Sequence, residues 1–167
     1  MKTFIIRLFR AAKLDTEFYE EVVVDSEYLI QSICVIILYS LATGIGNYAS
    51  TGLPGFILGT IIALISWLLY AYLTFYIANQ LLEIKETRVD IGELLRITGF
   101  ASAPGLIRIF GLIPGLFNIV FLISGIWMLL TMIAAVKQAY ELELPRAAGV
   151  CLAGWIIQAV MLGFFLG

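Results

Sequence analysis

The chain has 167 residues, 62% of them hydrophobic and only 13% charged, with a formal net charge of −2. An ordinary soluble domain carries about 25% charged residues, so the composition excludes a soluble enzyme and describes a chain that lives in a membrane. Ten basic residues set against twelve acidic ones offer no polyanion-binding surface, which removes nucleic acid from the expected partners. Histidine is absent, and Cys34 and Cys151 stand alone in apolar runs without metal-ligand spacing. No metal, cofactor or disulfide is therefore expected, and both thiols read as small residues packed between helices.

At the N-terminus, Phe4, Ile5, Leu8, Phe9 and Ala12 recur at helical spacing with Lys2, Arg10 and Lys13 away from them. That is the pattern of an amphipathic helix lying on a membrane surface. Arg7, Arg10 and Lys13 interrupt the apolar run, which rules out a secretory signal. Asp15 is placed to cap a second short helix that carries Phe18 and Val22 on one side and Glu17, Glu20 and Glu21 on the other. Residues 1–28 thus form a cytoplasmic amphipathic lead-in to a membrane domain over 29–167.

A spanning helix needs about 20 mostly apolar residues. Leu29–Tyr48, Phe56–Leu82, Leu116–Val136 and Ala147–Leu166 qualify outright, whereas Leu94–Ile113 contains Arg96, Pro104 and Arg108. Charge placement decides in its favour. With five spans, residues 1–28, 83–93 and 137–146 share one side with Arg96 at its edge, and nine of the ten basic residues fall there. By the positive-inside rule that side is the cytoplasm. The expectation is an all-α, multi-pass protein of the plasma or inner membrane, with its N-terminus in the cytoplasm and its C-terminus outside. Glu83, Glu86, Asp90 and Glu93, alternating with Lys85 and Arg88, read as a solvated loop of mixed charge.

Arg108 is the exception to the charge pattern, lying roughly 7–8 Å below the outward end of the third span at helical rise. A cation there either snorkels to the outer interface or meets an anion. With no carboxylate side chain on that half, the candidates are backbone carbonyls, the Gly167 carboxylate and a lipid phosphate, which makes Arg108 the lipid-binding candidate. Gly99, Pro104 and Gly105 mark the same span as broken, a known way of building a membrane site. Tyr39, Ser40, Ser66, Ser102, Ser124 and Gln158 lie near mid-span and read chiefly as packing hydroxyls and amides. No Asp, Glu or His lies within a span, so proton-driven transport is not expected. Gly55 and Gly59, and Ala159 and Gly163, have the spacing of close helix contacts, while Trp67, Trp127 and Trp155 read as rings packed inside the bundle. No nucleophile-and-base arrangement or enzyme motif is present, and catalysis is not expected.

The segment Glu93–Pro104, ELLRITGFASAP, resembles the third span of the Yip1-domain family of small five-span membrane proteins, with Gly99, Phe100, Ala101 and Pro104 on the shared pattern. The resemblance extends back to Asp15, Phe18, Tyr19, Glu20 and Glu21, and forward to Trp127, Lys137–Tyr140, Leu144 and Arg146. It implies a non-catalytic membrane organiser or adaptor, or an accessory subunit, working with other integral membrane proteins or as a homo-oligomer. Eukaryotic members associate with prenylated Rab-type GTPases and carry a long cytoplasmic N-terminal region. About 28 residues precede the first span here, which argues against GTPase binding. The alternative expectation is a transporter or lipid-handling protein, with membrane lipid as its partner and its site beside the broken third span.

Overall fold

The computed structural model describes residues 2–81 and 89–166, which form helices and short connections with no strand among them. Glu83, Lys85, Glu86, Arg88 and Gly167 lie outside the described residues. Helices α1 (Lys2–Ala12) and α2 (Thr16–Val24) make an N-terminal arm. Asp15 starts α2 as its side chain predicts, accepting a hydrogen bond from the Phe18 amide at 3.1 Å. Phe18, Tyr19 and Val22 are buried, and Glu17, Glu20 and Glu21 face out. Helix α1 has two apolar edges rather than one. Phe4, Leu8 and Ala11 pack inward, while Ile5, Ile6 and Phe9 are at least half exposed on the outer edge.

Arg10 ties the arm together, donating from Nε to Asp15 Oδ2 at 2.6 Å and from Nη1 to Glu21 Oε1 at 2.9 Å. The bond from Arg10, together with the amide of Phe18, holds the Asp15 carboxyl below the usual carboxylate range.

Helix α3 (Tyr28–Tyr76) takes in the first expected span and most of the second, and the chain reverses within it. Gly44 packs against Thr60 and 2.6 Å from the Phe56 carbonyl by the position a Cβ would take, and Gly59 lies against Asn47. Residues 44 and 60 would be about 24 Å apart on a straight helix, so α3 is a helical hairpin with arms 28–51 and 53–76. A loop over 49–55 is expected from sequence; instead Gly52 alone leaves the helical region, at φ 65° and ψ −147°. That conformation is essentially restricted to glycine. Pro54 follows in the first turn of the second arm, where its missing N–H would be unpaired anyway.

A π-helical turn (Ile77–Leu81) ends the hairpin. Helix α4 (Ile91–Ala101) opens on a reciprocal cap: the Glu93 amide donates to Asp90 Oδ1 at 2.9 Å and the Asp90 amide to Glu93 Oε2 at 3.1 Å. These two acids are thus a helix start and not part of a solvated loop; the spacing Asp-x-x-Glu before an apolar run is the signal for it. The expected single helix over 94–113 is also corrected. The α-helix stops at Ala101 and a 3-10 stretch runs over Ala103–Leu112. Helices α5 (Phe117–Ala139) and α6 (Leu144–Leu166) complete the bundle. Three helices, Tyr28–Gln80 with its kink, Phe117–Ala139 and Leu144–Phe164, are long and apolar enough to cross a membrane.

Large apolar side chains such as Ile30, Leu122 and Val160 cover the outside of the bundle, the distribution expected against lipid. Cys34 belongs to that outer surface, on the same edge as Ile30, Ile33 and Ile37, so only Cys151 of the two thiols is packed inside.

The arm is locked to the bundle by a buried arginine. Arg96 of α4 donates from Nε to the Val22 carbonyl at 3.0 Å and from Nη2 to the Val23 carbonyl at 2.6 Å. These carbonyls end α2, which has no basic residue of its own in its last turn, and a cation at a helix C-terminus satisfies both orphan acceptors and dipole. Above it, Phe18, Tyr28 and Phe100 meet edge to face, with ring centroids 5.1 to 6.0 Å apart. The Trp127 indole donates to the Ala12 carbonyl at the end of α1 at 2.8 Å.

Hydrogen bonds to a charged group contribute about 1.5–3 kcal/mol each. Arg96→Met should therefore free the arm from the bundle, and limited trypsin digestion in detergent should cut after the exposed Lys13 about tenfold faster or more than in the parent. An unchanged rate would mean that Arg96 does not hold the arm. The Asp15 ion pair predicts the pH response. Because its carboxyl titrates lower in the folded chain, its contribution is complete above the ordinary carboxylate value of about pH 4, declines below it, and is lost as pH falls through the lowered value of the folded chain. Arm protection should be flat near neutrality and decline in acid. In Asp15→Asn, which keeps the cap but not the charge, protection should be weaker at neutral pH and less dependent on acid.

Candidate functional site

The break after Ala101 has a definite hydrogen-bond account. Once the backbone turns to the 3-10 pattern, the Gly105 amide bonds the Ser102 carbonyl at 2.9 Å. The Ala101 carbonyl would then need the amide of residue 104, and Pro104 has none. Thr131 of α5 supplies the donor: its hydroxyl lies 2.7 Å from the Ala101 oxygen, the shortest of the three carbonyls within its reach. Pro104 and Gly105 are therefore at the break itself, as expected, whereas Gly99 lies inside α4 as a contact point. A methyl group at Gly99 would sit 2.7 Å from Ser32 Cβ, and one at Gly105 would press on the Tyr39 ring and come 2.8 Å from Met128 Sδ. The two glycines let α4 and the 3-10 stretch lie directly on the first arm of α3.

Arg108 does not snorkel outward. Its Nε donates to Ser124 Oγ at 2.9 Å and its Nη1 to Tyr39 OH at 3.0 Å, with the guanidinium 4.9 Å from the Phe121 ring centroid and 5.3 Å from that of Tyr39. Ser124 passes its own proton to the Phe121 carbonyl at 3.0 Å, leaving a lone pair for the arginine. The cation is thus fixed inward by two hydroxyls and two aromatic faces.

It faces a partly open cavity of about 690 Å³ lined by both arms of α3, the 3-10 stretch, α5 and α6. That volume is within the range of small-molecule sites, about 300–1,000 Å³. Arg108, Tyr39 and Asn47 line it together with Trp67, Met132 and Trp155. Among the described residues, Arg108 is the only charged one on the wall.

The remaining sequence candidates separate around this cavity. Gly55 and Gly59 pack the two arms of α3 together through Asn47 and Thr51. Ala159 lines the cavity, and Gly163 is exposed with nothing among the described residues within 4 Å of the position a Cβ would take. Two of the mid-span hydroxyls bond their own helix, Ser102 donating to the Thr98 carbonyl and Ser124 to that of Phe121, whereas Ser40 Oγ is buried without a partner among the described residues. Gln158 is different, joining α6 to the second arm of α3 through the Ser66 carbonyl at 2.7 Å. Of the tryptophans only Trp67 is an interior ring. Trp127 bonds the arm, and Trp155 is 50% exposed at the cavity edge.

The Yip1 domain model matches residues 14–166. The chain belongs to the Yip1-domain family. It is an integral membrane protein of that family, and the match starts within the N-terminal arm, so α2, the aromatic cluster and the cavity are all inside the shared domain. No curated protein and no solved structure matches the chain.

Sequence reasoning missed three residues of this arrangement. Arg96 is the lock of the arm, Thr131 the donor at the break, and Tyr39 the anchor of Arg108 rather than a scattered mid-span hydroxyl. For Thr131 the signal was available only once Pro104 was known to follow an α-to-3-10 change. Leaving a buried carbonyl unpaired costs about 1–3 kcal/mol. Thr131→Val, nearly isosteric, should lower stability in detergent by that amount, and Thr131→Ser should retain most of it. Equal melting of Thr131→Val and the parent would show that the Ala101 carbonyl is satisfied some other way.

Proposed function

We propose that this Yip1-family protein is a non-catalytic, lipid-handling membrane protein that accommodates a membrane amphiphile in the cavity beside its broken third span. The observation that carries this reading is Arg108, an ionisable side chain turned into an apolar cavity and away from the lipid interface. An intramembrane cation on a cavity wall marks a binding site more readily than a packing contact.

Five spans are proposed for the fold. Each arm of α3 is about 36 Å long, α5 and α6 are about 35 Å each, and α4 with the 3-10 stretch reaches about 36 Å, all enough for a hydrocarbon core of about 30 Å. The third span keeps its reach because ten residues rise about 2.0 Å each in the 3-10 form. The N-terminal arm, Asn79, Val89 and Tyr140 gather at one end of the bundle, through bonds such as Gln138 to Glu20 at 2.6 Å and Asn79 to the Tyr140 hydroxyl at 3.2 Å. Together with the basic residues of that end, this favours a cytoplasmic N-terminus and an outer C-terminus in a plasma or inner membrane.

A second reading, a membrane organiser or accessory subunit with integral membrane partners, is favoured by the outer apolar edge of α1. Ile5, Ile6 and Phe9 are 50%, 58% and 63% exposed on a helix already docked to the bundle, which suits insertion into one leaflet.

Gly125 offers a direct test of the first reading. It lines the cavity, and a side chain there meets nothing within 4 Å. Leucine favours the helix over glycine, so Gly125→Leu should fold while filling the cavity. Native mass spectrometry from nanodiscs of the source membrane should find retained lipid on the parent and much less on Gly125→Leu. Equal lipid on both would exclude the cavity as the site, and a bound protein partner with no retained lipid would favour the second reading.

A further inference from the structure

We infer that the cavity selects a net-anionic amphiphile whose head presents two oxygens to Arg108 and Tyr39 and whose apolar part lies along the wall that includes Leu58, Ile62 and Leu129; this rests on the lipid-handling reading above. The selection follows from counting donors and charge. A guanidinium has five N–H groups, and Arg108 uses one on Ser124 and one on Tyr39. Three remain, and the Tyr39 hydroxyl proton is given to none of the described residues. Nothing else among the described residues of the cavity wall is charged, and the two salt bridges among the described residues both involve Arg10. Among the described residues the site therefore has one uncompensated positive charge with a fork of donors, the arrangement that binds a carboxylate or phosphate through two parallel bonds.

On the wall Trp67 Nε1 and the Tyr70 hydroxyl are buried without a partner among the described residues, whereas three other polar groups there are committed elsewhere. The Asn47 amide donates to the Thr43 carbonyl at 2.8 Å, the Thr43 hydroxyl to the Tyr39 carbonyl at 3.0 Å, and the Gln158 amide to the Ser66 carbonyl at 2.7 Å. They contribute little toward a large polar head. A zwitterionic head would satisfy Arg108 but leave its own ammonium without a carboxylate, because no Asp or Glu lines the cavity. Burying that unpaired cation is unfavourable. Arg108 is four residues from the end of the 3-10 stretch at Leu112, about 8 Å along its axis. The head is accordingly drawn inside the bundle, and the ligand is held in place rather than exchanging as boundary lipid.

The shared chemistry is an oxyanion on an apolar body, which a fatty acid or an anionic phospholipid can each supply. The test reconstitutes the full chain in nanodiscs of phosphatidylcholine containing a minor fraction of either oleate or phosphatidylglycerol, then measures lipids retained by native mass spectrometry. Retention of one or both anionic probes about tenfold above their share of the nanodisc is expected, a preference that two charge-assisted bonds can supply. Oleate alone would identify the carboxylate source, and phosphatidylglycerol alone the phosphate source. In Arg108→Gln, which keeps a donor but not the charge, the preference should vanish while the melting temperature confirms folding. In Arg108→Lys it should be reduced, since the ammonium keeps the charge without the fork. Cavity lipid retained in proportion to nanodisc composition, or a preference that survives Arg108→Gln, overturns the inference while leaving lipid handling intact. No retained lipid at all overturns the lipid-handling reading itself.

Discussion

The interruption of the third helical segment governs how the rest of the bundle can pack. Pro104 removes the amide that would close the turn on Ala101, and the backbone continues only because Thr131 of a neighbouring helix satisfies the carbonyl left behind. The change from α to 3-10 also rotates everything downstream. Each residue turns about 120° instead of 100°, so over the six residues from Ser102 to Arg108 the direction of the side chain shifts by about 120° relative to a continued α-helix. That rotation separates an arginine aimed at the lipid interface from one seated between Tyr39, Ser124 and Phe121.

The two ends of the bundle use different chemistry. At the arm end, polar and aromatic groups tie separate elements together: Arg96 closes the C-terminus of α2, Trp127 closes that of α1, and Phe18, Tyr28 and Phe100 fill the space between them. At the hairpin end, small residues do the joining, with Gly44, Gly55 and Gly59 bringing the arms of α3 together. Close approach of those two arms leaves room beside them, where α5 and α6 complete the wall of the cavity. Arg108 sits where the 3-10 stretch meets that space.

Much of the fold was legible in the residues because it depends on local rules. The helical period of Phe18 and Val22 against Glu17, Glu20 and Glu21 placed one face of α2 in the core, and Asp15 was readable as its cap. Pro104 and Gly105 announced the break within a few residues. What failed were inferences that needed a partner from elsewhere in the chain. Arg96 looked like a charge at a membrane edge because the carbonyls it binds lie more than seventy residues earlier. Asp90 and Glu93 were taken for part of a loop, although their spacing contained the cap. Cys34 reads as a residue packed between helices, yet it faces outward, because helical period alone does not say which side of an all-apolar helix meets a neighbour.

The sequence by itself determined that this is an all-helical membrane protein of the Yip1 family, that its charge is concentrated toward one end, and that Arg108 is the lone basic residue set apart. These follow from composition, hydropathy and residue order, which need no knowledge of neighbours. Only the tertiary structure decided that the reversal expected between Tyr48 and Phe56 is made at Gly52 alone, that the N-terminal arm is part of the packed core, and that Arg108 points into a cavity. The direction of a side chain depends on the twist of every residue before it and on the groups waiting across the bundle, and neither is written in any local stretch of the chain.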